Sequence, residues 1–282
     1  GDTSSASDTL STIFLNVGQS APPGSAALDW NLPHNPALLS ASQDAIIAWE
    51  FPQGTWQDLD TVPYLTHHYA QVISVCDDSL TYRISIADDA GCTSQSNFNG
   101  DVFEDVTAPT PPVITSVSVD TTTNQTVFDW QASPEGDTYG YIVVIVVGNN
   151  NVIVDTVFGQ NNTSYEWASS DAASDAETWT VAAIDSCYHG TPPAPNTSAA
   201  SAAHTTVHVG LSYDRCNSDV RITWSHYVGW PVDNYELYVQ VDNGAPALLG
   251  TFQPTTTTFL HQAVDPFRNY CYVVKAIATT SA

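Results

Sequence analysis

The stretch Val127-Phe128-Asp129-Trp130 is the middle copy of a pattern that the chain repeats three times. Ala27-Leu28-Asp29-Trp30 ends one hundred residues before it, and Arg221-Ile222-Thr223-Trp224 ends ninety-four residues after it. In an extended chain, each tryptophan and the apolar residue two positions before it point the same way, as in a strand that faces a core. The sequence therefore predicts a tandem array of three similar units.

A second aromatic residue follows each tryptophan after 52, 49 and 48 residues and opens an alternating apolar run. The runs cover residues 82–86, 179–183 and 272–276. Their period of two is typical of a half-buried strand. We therefore predict six core aromatic residues, which are Trp30, Trp130, Trp224, Tyr82, Trp179 and Tyr272.

The composition predicts an all-β chain, because β-branched and aromatic residues are plentiful and no long segment has a helical period. We predict three tandem β-sandwiches of the immunoglobulin type in an extended array. Their predicted bounds are residues 9–106, 107–203 and 204–282. The first boundary is marked by the prolines of residues 107–112, which stiffen the connection.

The two ends of the chain suggest an unfinished sandwich. A sandwich of this type needs seven strands, and residues 204–282 have room for only six. Residues 276–282 followed by residues 1–10 resemble the segment from 183 to 207 that joins the second and third units. We predict that residues 1–8 are the last strand of a preceding unit outside this chain. The chain is then either a window from a longer array or a subunit that lends its first strand to a neighbouring copy.

The charge balance limits the partners of the protein. Thirty acidic residues stand against five basic ones, which gives a net charge of −25. Nucleic acid and anionic membrane surfaces are therefore poor partners. The apolar run at 141–147 is too short to span a bilayer, so no membrane insertion is predicted. The predicted partners are neighbouring domains, other copies of the chain and surface polysaccharide.

Five cysteines in an acidic, lysine-poor chain favour an oxidising compartment over metal binding. Cys76 and Cys92 are the only cysteines in the first repeat, so they are predicted to pair. Cys216 and Cys271 would lie at the same end of the third sandwich, which favours that pair and leaves Cys187 unassigned. The alternative also stays open that Cys216 pairs with Cys187, with Cys271 bound to a cysteine beyond the chain.

A seven-strand unit with a tryptophan on its second strand and an aromatic residue opening its sixth resembles a fibronectin type III domain. Two stretches carry a narrower resemblance: residues 76–109, with Cys76, Cys92 and Phe103, and Trp224-Ser225-His226-Tyr227-Val228-Gly229-Trp230 with Tyr235. They are similar to the tandem domains before the gliding-motility-associated C-terminal domain in large surface proteins of Bacteroidetes. That resemblance implies export by the type IX secretion system and residence at the cell surface or in the medium.

Candidate sites for chemistry are few. The sequence has no nucleophile elbow, zinc-protease motif or phosphate-binding loop, and we predict no enzymatic activity. Calcium is the one cofactor that the residues suggest, through paired acids in predicted turns. These acids lack the spacing of an EF-hand, and solvated turn acids are the simpler interpretation. The four residues are Asp77, Asp78, Asp88 and Asp89.

Two kinds of carbohydrate contact are also considered. The repeat does not account for Trp56, Trp167 and Trp230, whose rings could stack on sugars. Four Asp-Ser/Thr-aliphatic triplets resemble the O-glycosylation sites of Bacteroidetes. Their candidate acceptors are Thr9, Thr61, Ser79 and Thr156.

The sequence therefore predicts a non-catalytic extracellular stalk or adhesin region of a large surface or secreted bacterial protein. One alternative is a subunit of an extracellular filament assembled by strand donation. Another alternative is an accessory carbohydrate-binding region of a secreted hydrolase.

Overall fold

A computed structural model of the chain describes residues 9–21, 24–35, 44–76, 78–87, 93–189 and 193–279. Within these ranges the regular structure consists of β-strands, which form several sheets and pack as sandwiches. The predicted all-β fold class is therefore confirmed. The described ranges contain no helix with the length and hydrophobicity needed to cross a membrane.

The first sandwich packs the three-stranded sheet β2-β3-β7 on a sheet of order β10-β8-β5-β6, with β9 beside β8 and a small β1-β4 pair. Its strands are β1 (Thr9–Leu10), β2 (Leu15–Gln19), β3 (Ser25–Trp30), β4 (His34–Asn35), β5 (Ala45–Glu50), β6 (Trp56–Val62), β7 (His68–Val72), β8 (Asp78–Ala87), β9 (Thr93–Gln95) and β10 (Asn99–Phe103).

The second sandwich repeats this plan with the sheets β11-β12-β15 and β14-β13-β16-β17, and β18 also pairs with β16. Its strands are β11 (Val113–Val119), β12 (Thr126–Gln131), β13 (Thr138–Val147), β14 (Asn150–Phe158), β15 (Ser164–Trp167), β16 (Thr178–His189), β17 (Ala194–Thr197) and β18 (His204–Thr205).

The third sandwich has the sheets β19-β20-β23 and β22-β21-β24. In the described part of the chain, β24 pairs with β21 on one side and has no strand on the other. The strands are β19 (Val209–Asp214), β20 (Asp219–Trp224), β21 (Val232–Val241), β22 (Ala247–Phe252), β23 (Thr258–His261) and β24 (Tyr270–Ala278).

Each sandwich has its own hydrophobic cluster, built from the inward-facing residues of both sheets. In the second cluster the ring of Phe128 stacks on Trp179 with 5.1 Å between centroids, which joins the two sheets. Such aromatic pairs add to the stabilisation that area burial provides. All six aromatic residues at the repeated positions are buried, namely Trp30, Trp130, Trp224, Tyr82, Trp179 and Tyr272.

The chain packs into two compact units. The first comprises residues 1–108 together with 186–196, and the second comprises 109–185 together with 197–282. The second and third sandwiches thus share one unit, while the end of β16 and the residues after it pack with the first. The predicted domain bounds at 106 and 203 place residues 186–196 in the second domain, whereas these residues pack with the first unit.

Candidate functional site

A groove of about 540 Å³ lies in the second unit along the unpaired edge of β24. Residues 271–277 of β24 form one wall, and residues 207–209 at the entry of the third sandwich form another. Residues 116–119 of β11, from the second sandwich, close the remaining side. The lining is mostly apolar.

Two aromatic side chains, Tyr227 and Trp230, line the groove. The rings of Tyr227 and Trp230 lie 4.2 Å apart, and the indole nitrogen of Trp230 donates to the carbonyl of Thr115 at 3.2 Å. Burial raises the pKa of Tyr227 to about 12. The hydroxyl of Tyr227 lies 2.7 Å from Nδ1 of His204, and burial lowers the pKa of that histidine.

The backbone of β24 offers hydrogen-bonding groups to the groove. Val274 pairs with Leu237, as Val181 of β16 pairs with Val143 in the second sandwich. In an antiparallel strand the peptide groups of alternate residues face opposite neighbours. The peptide groups of Val181 face away from β13, so those of Val274 face away from β21 and into the groove. The same reasoning applies to Ala276, the counterpart of Ala183.

The equivalent edge of β16 is covered by two serines that bond in a reciprocal way. The backbone nitrogen of Ser201 donates to the carbonyl of Val181 at 2.8 Å, and the Ser201 hydroxyl oxygen accepts the Val181 N–H at 3.0 Å. Ser198 makes the same two bonds with Ala183, both at 2.8 Å. We call this two-bond arrangement a serine clamp.

The first sandwich contains the same device. The backbone nitrogen of Ser96 donates to the carbonyl of Ile84, and its hydroxyl oxygen accepts the Ile84 N–H, each at 2.9 Å. Ile84 occupies the position on β8 that Val181 occupies on β16, two residues after the core aromatic. Serine clamps therefore hold the following segment against the edge of β8 in the first sandwich and of β16 in the second.

The serine clamps were missed in the sequence, although a signal for them exists. Clusters of small polar residues between periodic segments are typical of loops, so the stretches between repeats are predicted to be linkers. The spacing Thr-Ser-x-x-Ser nevertheless occurs at 197–201, where both serines form clamps, and again at 3–7. Residues 1–8 lie outside the described ranges.

The cysteine pairing predicted within single repeats is wrong. Cys76 forms a disulfide with Cys187, 111 residues away, inside the first unit. The predicted Cys76–Cys92 bond is excluded by this partner, and Cys92 itself lies outside the described residues. Cys187 lies near the end of β16, in the part of that strand that belongs to the first unit. The Cα atoms of Cys76 and Cys187 are 5.1 Å apart.

The predicted bond between Cys216 and Cys271 is also wrong, because both thiols are free and exposed. Cys216 lies in the turn between β19 and β20, and Cys271 lies on β24 of the other sheet. Both side chains face solvent, so the common end of the sandwich does not bring them together. The alternative bond between Cys216 and Cys187 is excluded by the bond to Cys76.

Three tryptophans that the repeat did not explain are half-buried against other side chains. The guanidinium of Arg83 lies 4.5 Å above the ring of Trp56. Trp167 packs edge-on against Trp179 with 5.0 Å between centroids, and Trp230 lines the groove and packs on Tyr227. Local packing therefore accounts for each ring, and sugar stacking by these residues stays a prediction.

The calcium and glycosylation candidates are scattered. Asp78 is exposed and accepts the backbone N–H of Ser79 at 2.8 Å, while Asp77, Asp88 and Asp89 lie outside the described residues. The acceptor positions Thr9, Thr61 and Ser79 are exposed, and Thr156 is half-buried. Calcium binding and modification at these residues stay predictions.

Comparison with known proteins adds a structural likeness. No protein-family model matches the chain, and no curated protein matches it either. Among solved structures, the crystal structure of chicken CNTN1 FN1-FN3 domains covers 96% of this chain and 93% of its own, with 14% sequence identity and a TM-score of 0.36. The fibronectin type III-like character of the three sandwiches rests on their own strand order and cores.

Proposed function

We propose that this chain is a non-catalytic extracellular stalk or adhesion region built from fibronectin type III-like sandwiches. The observation that carries the proposal is the tandem of three sandwiches, each with a core of its own. Such arrays work as spacers, because the stability of each module is largely local and the chain gains length with every repeat.

The compartment is inferred from the cysteine chemistry. Structural disulfides persist in oxidising environments and are rare in a reducing cytosol. The bond between Cys76 and the buried Cys187 closes a long loop, as expected of a structural disulfide. A net charge of −25 also favours a solvated surface that does not associate nonspecifically.

The finer proposal is a surface protein of Bacteroidetes exported by the type IX secretion system. It rests on the resemblance of the stretch at 224–235. In the structure Trp224 of this stretch is buried in the third core, and the Tyr227 backbone nitrogen donates to the hydroxyl of Tyr235 at 2.9 Å. The spacing of the stretch thus serves the packing of the β20–β21 connection, a role that suits a repeated structural module.

The test is to follow the protein on intact cells. An antibody raised against the 282-residue chain should stain unpermeabilised cells or detect the protein in the medium. Added protease should remove the cell-bound signal while a cytosolic marker survives. Inactivation of the type IX machinery should abolish the external signal. External protein in that mutant would contradict the export route alone, whereas protein found only inside wild-type cells would contradict the extracellular assignment.

A further inference from the structure

We propose that residues 1–8 of one copy of this chain pair with the edge of β24 that has no neighbouring strand among the described residues, in the third sandwich of a second copy. This inference goes beyond the stalk function and does not depend on it. It makes the partner of the β24 groove another copy of the same chain, so that copies join head to tail by strand donation.

The first argument is the sequence of the donor. Residues 1–13 align without a gap with residues 195–207, the segment that covers β16 and then enters the third sandwich. Thr-Ser-x-x-Ser stands at 3–7 and at 197–201, and five residues after the second serine both segments have a threonine followed by a β-branched residue. The donor thus carries Ser4 and Ser7, the counterparts of the two serines that form clamps in the second sandwich.

The second argument is the path of the chain after the donor. The backbone nitrogen of Thr205 donates to the carbonyl of Val228 at 2.8 Å as the chain enters the third sandwich. The nitrogen of Ser11, its aligned counterpart, donates to the carbonyl of Pro33 at 2.7 Å at the entry of the first sandwich. The chain therefore enters both sandwiches in the same way, and the residues before Thr205 are those that run along β16.

The third argument is the choice of acceptor. In the first sandwich β9 and β10 cover the edge of β8, and in the second β17 and β18 cover the edge of β16. Of these three corresponding edges, only that of β24 has no covering strand among the described residues. By the aligned positions, Ser7 would clamp Val274 and Ser4 would clamp Ala276. The small side chains of residues 1–8 suit a groove of about 540 Å³.

The fourth argument is an apolar side chain without cover. Leu10 is 77% exposed, although it belongs to a strand. Its aligned counterpart, His204, is only 4% exposed and pairs with Trp179 of β16. In the proposed complex Leu10 would lie opposite Tyr272 of the second copy. Burial of its side chain there favours association.

A cysteine cross-link tests this register directly. Thr178 and Thr205 are paired across β16 and β18, with their hydroxyl oxygens 2.9 Å apart. Their counterparts in the proposed complex are Cys271, which is free and exposed, and Ser11. The Ser11→Cys variant should therefore form a disulfide with native Cys271 of another copy under mild oxidation.

The variant is made in a Cys216→Ser background, which removes the other exposed free thiol among the described residues. We expect a ladder of covalent multimers on a non-reducing gel, with the link between position 11 and Cys271 identified by mass spectrometry. The matched control is Phe14→Cys, because Phe14 is 64% exposed but lies three residues beyond the predicted contact. It should give no such link.

Deletion of residues 1–8 from the Ser11→Cys protein provides the second variant. Loss of the ladder is expected, because the donor strand is gone while position 11 and Cys271 remain. A ladder that survives the deletion, an equal ladder from Phe14→Cys, a link inside a single copy or the absence of any link between position 11 and Cys271 would overturn the proposal. None of these outcomes bears on whether the protein is extracellular.

Discussion

Ser201 and Val181 exchange two hydrogen bonds through one backbone nitrogen, one carbonyl, one hydroxyl oxygen and one N–H, at 2.8 and 3.0 Å. Ser96 and Ile84 do the same in the first sandwich. The arrangement gives hydrogen-bond partners to both backbone groups of a buried strand residue. The serine hydroxyl oxygen accepts the N–H that a backbone carbonyl would accept in an ordinary ladder. It explains how a small-residue segment outside the regular strands is held along the edge of a strand in this chain.

The Ser201→Ala substitution tests the contribution of a serine clamp. It leaves the buried Val181 N–H without its acceptor, which costs about 1–3 kcal/mol of the free energy of unfolding of the second unit. Chemical denaturation should show the loss. Ser164→Ala is the control, because Ser164 is exposed and lies on β15, and it should change the stability little. Equal stability of Ser201→Ala and Ser164→Ala would mean that the clamp does not stabilise β16.

The structure predicts which cysteines are linked in the oxidised protein. Peptide mapping of the oxidised protein should recover a Cys76–Cys187 link. A Cys76–Cys92 link would contradict the structure.

The Cys187→Ser variant tests what this bond stabilises. It should lose about 2–5 kcal/mol of the free energy of unfolding of the first unit, because the closed loop is long. Amide hydrogen exchange should also rise across residues 186–196, which pack with that unit. The Cys216→Ser variant is the control, since its thiol is free, and no change in either measurement is expected.

Gly229 has a backbone conformation that favours glycine, and His204 lies close to it. Its φ of +144° lies in a region that L side chains rarely adopt, and an added Cβ would lie 2.5 Å from Nδ1 of His204. Gly229→Ala should therefore cost about 1–3 kcal/mol of the free energy of unfolding of the second unit. Gly136→Ala is the matched control, because open space surrounds that position. Wild-type stability of Gly229→Ala would contradict the close contact with His204.

His204 makes the second unit sensitive to acid. Burial lowers the pKa of His204 below 6.5 in the folded chain, so the unfolded chain binds this proton more readily. The stabilising effect is complete above pH 6.5 and is lost as the pH falls toward the lowered folded pKa. The slope from this one group is at most about 1.4 kcal/mol per pH unit.

The His204→Gln variant should flatten this acid dependence, measured as denaturation midpoints between pH 7 and about pH 5. It does not abolish the dependence, because burial also lowers the pKa of His261 in the same unit. The control variant is His226→Gln, which removes an exposed histidine of the same unit. A His204→Gln profile identical to wild type would show that His204 is not the sensitive group.

The repeated tryptophans made the cores predictable from the sequence. Trp30, Trp130 and Trp224 are buried, because strand alternation is local and fixes which side chains face inward. The six aromatic positions therefore locate three cores without any knowledge of how the strands pair.

The disulfide was not predictable in this way. Counting cysteines within each repeat assumes that each repeat closes on itself, and residues 186–196 do not obey that assumption. Whether β16 ends with its own sheet or extends to the first unit depends on tertiary packing, which the local pattern does not encode. The serine clamps were hidden for a related reason, since their bonds join residues 20 and 15 positions apart.

Amide hydrogen exchange of the monomeric protein tests the uncovered third sandwich most directly. Val274 and Ala276 should exchange rapidly, while their counterparts Val181 and Ala183 should be protected by the serine clamps. A synthetic peptide of residues 1–10 should then protect Val274 and Ala276, and the same peptide with Ser7→Pro should not. Protection of Val274 and Ala276 in the monomer without peptide, or no gain at saturating peptide, would contradict the account.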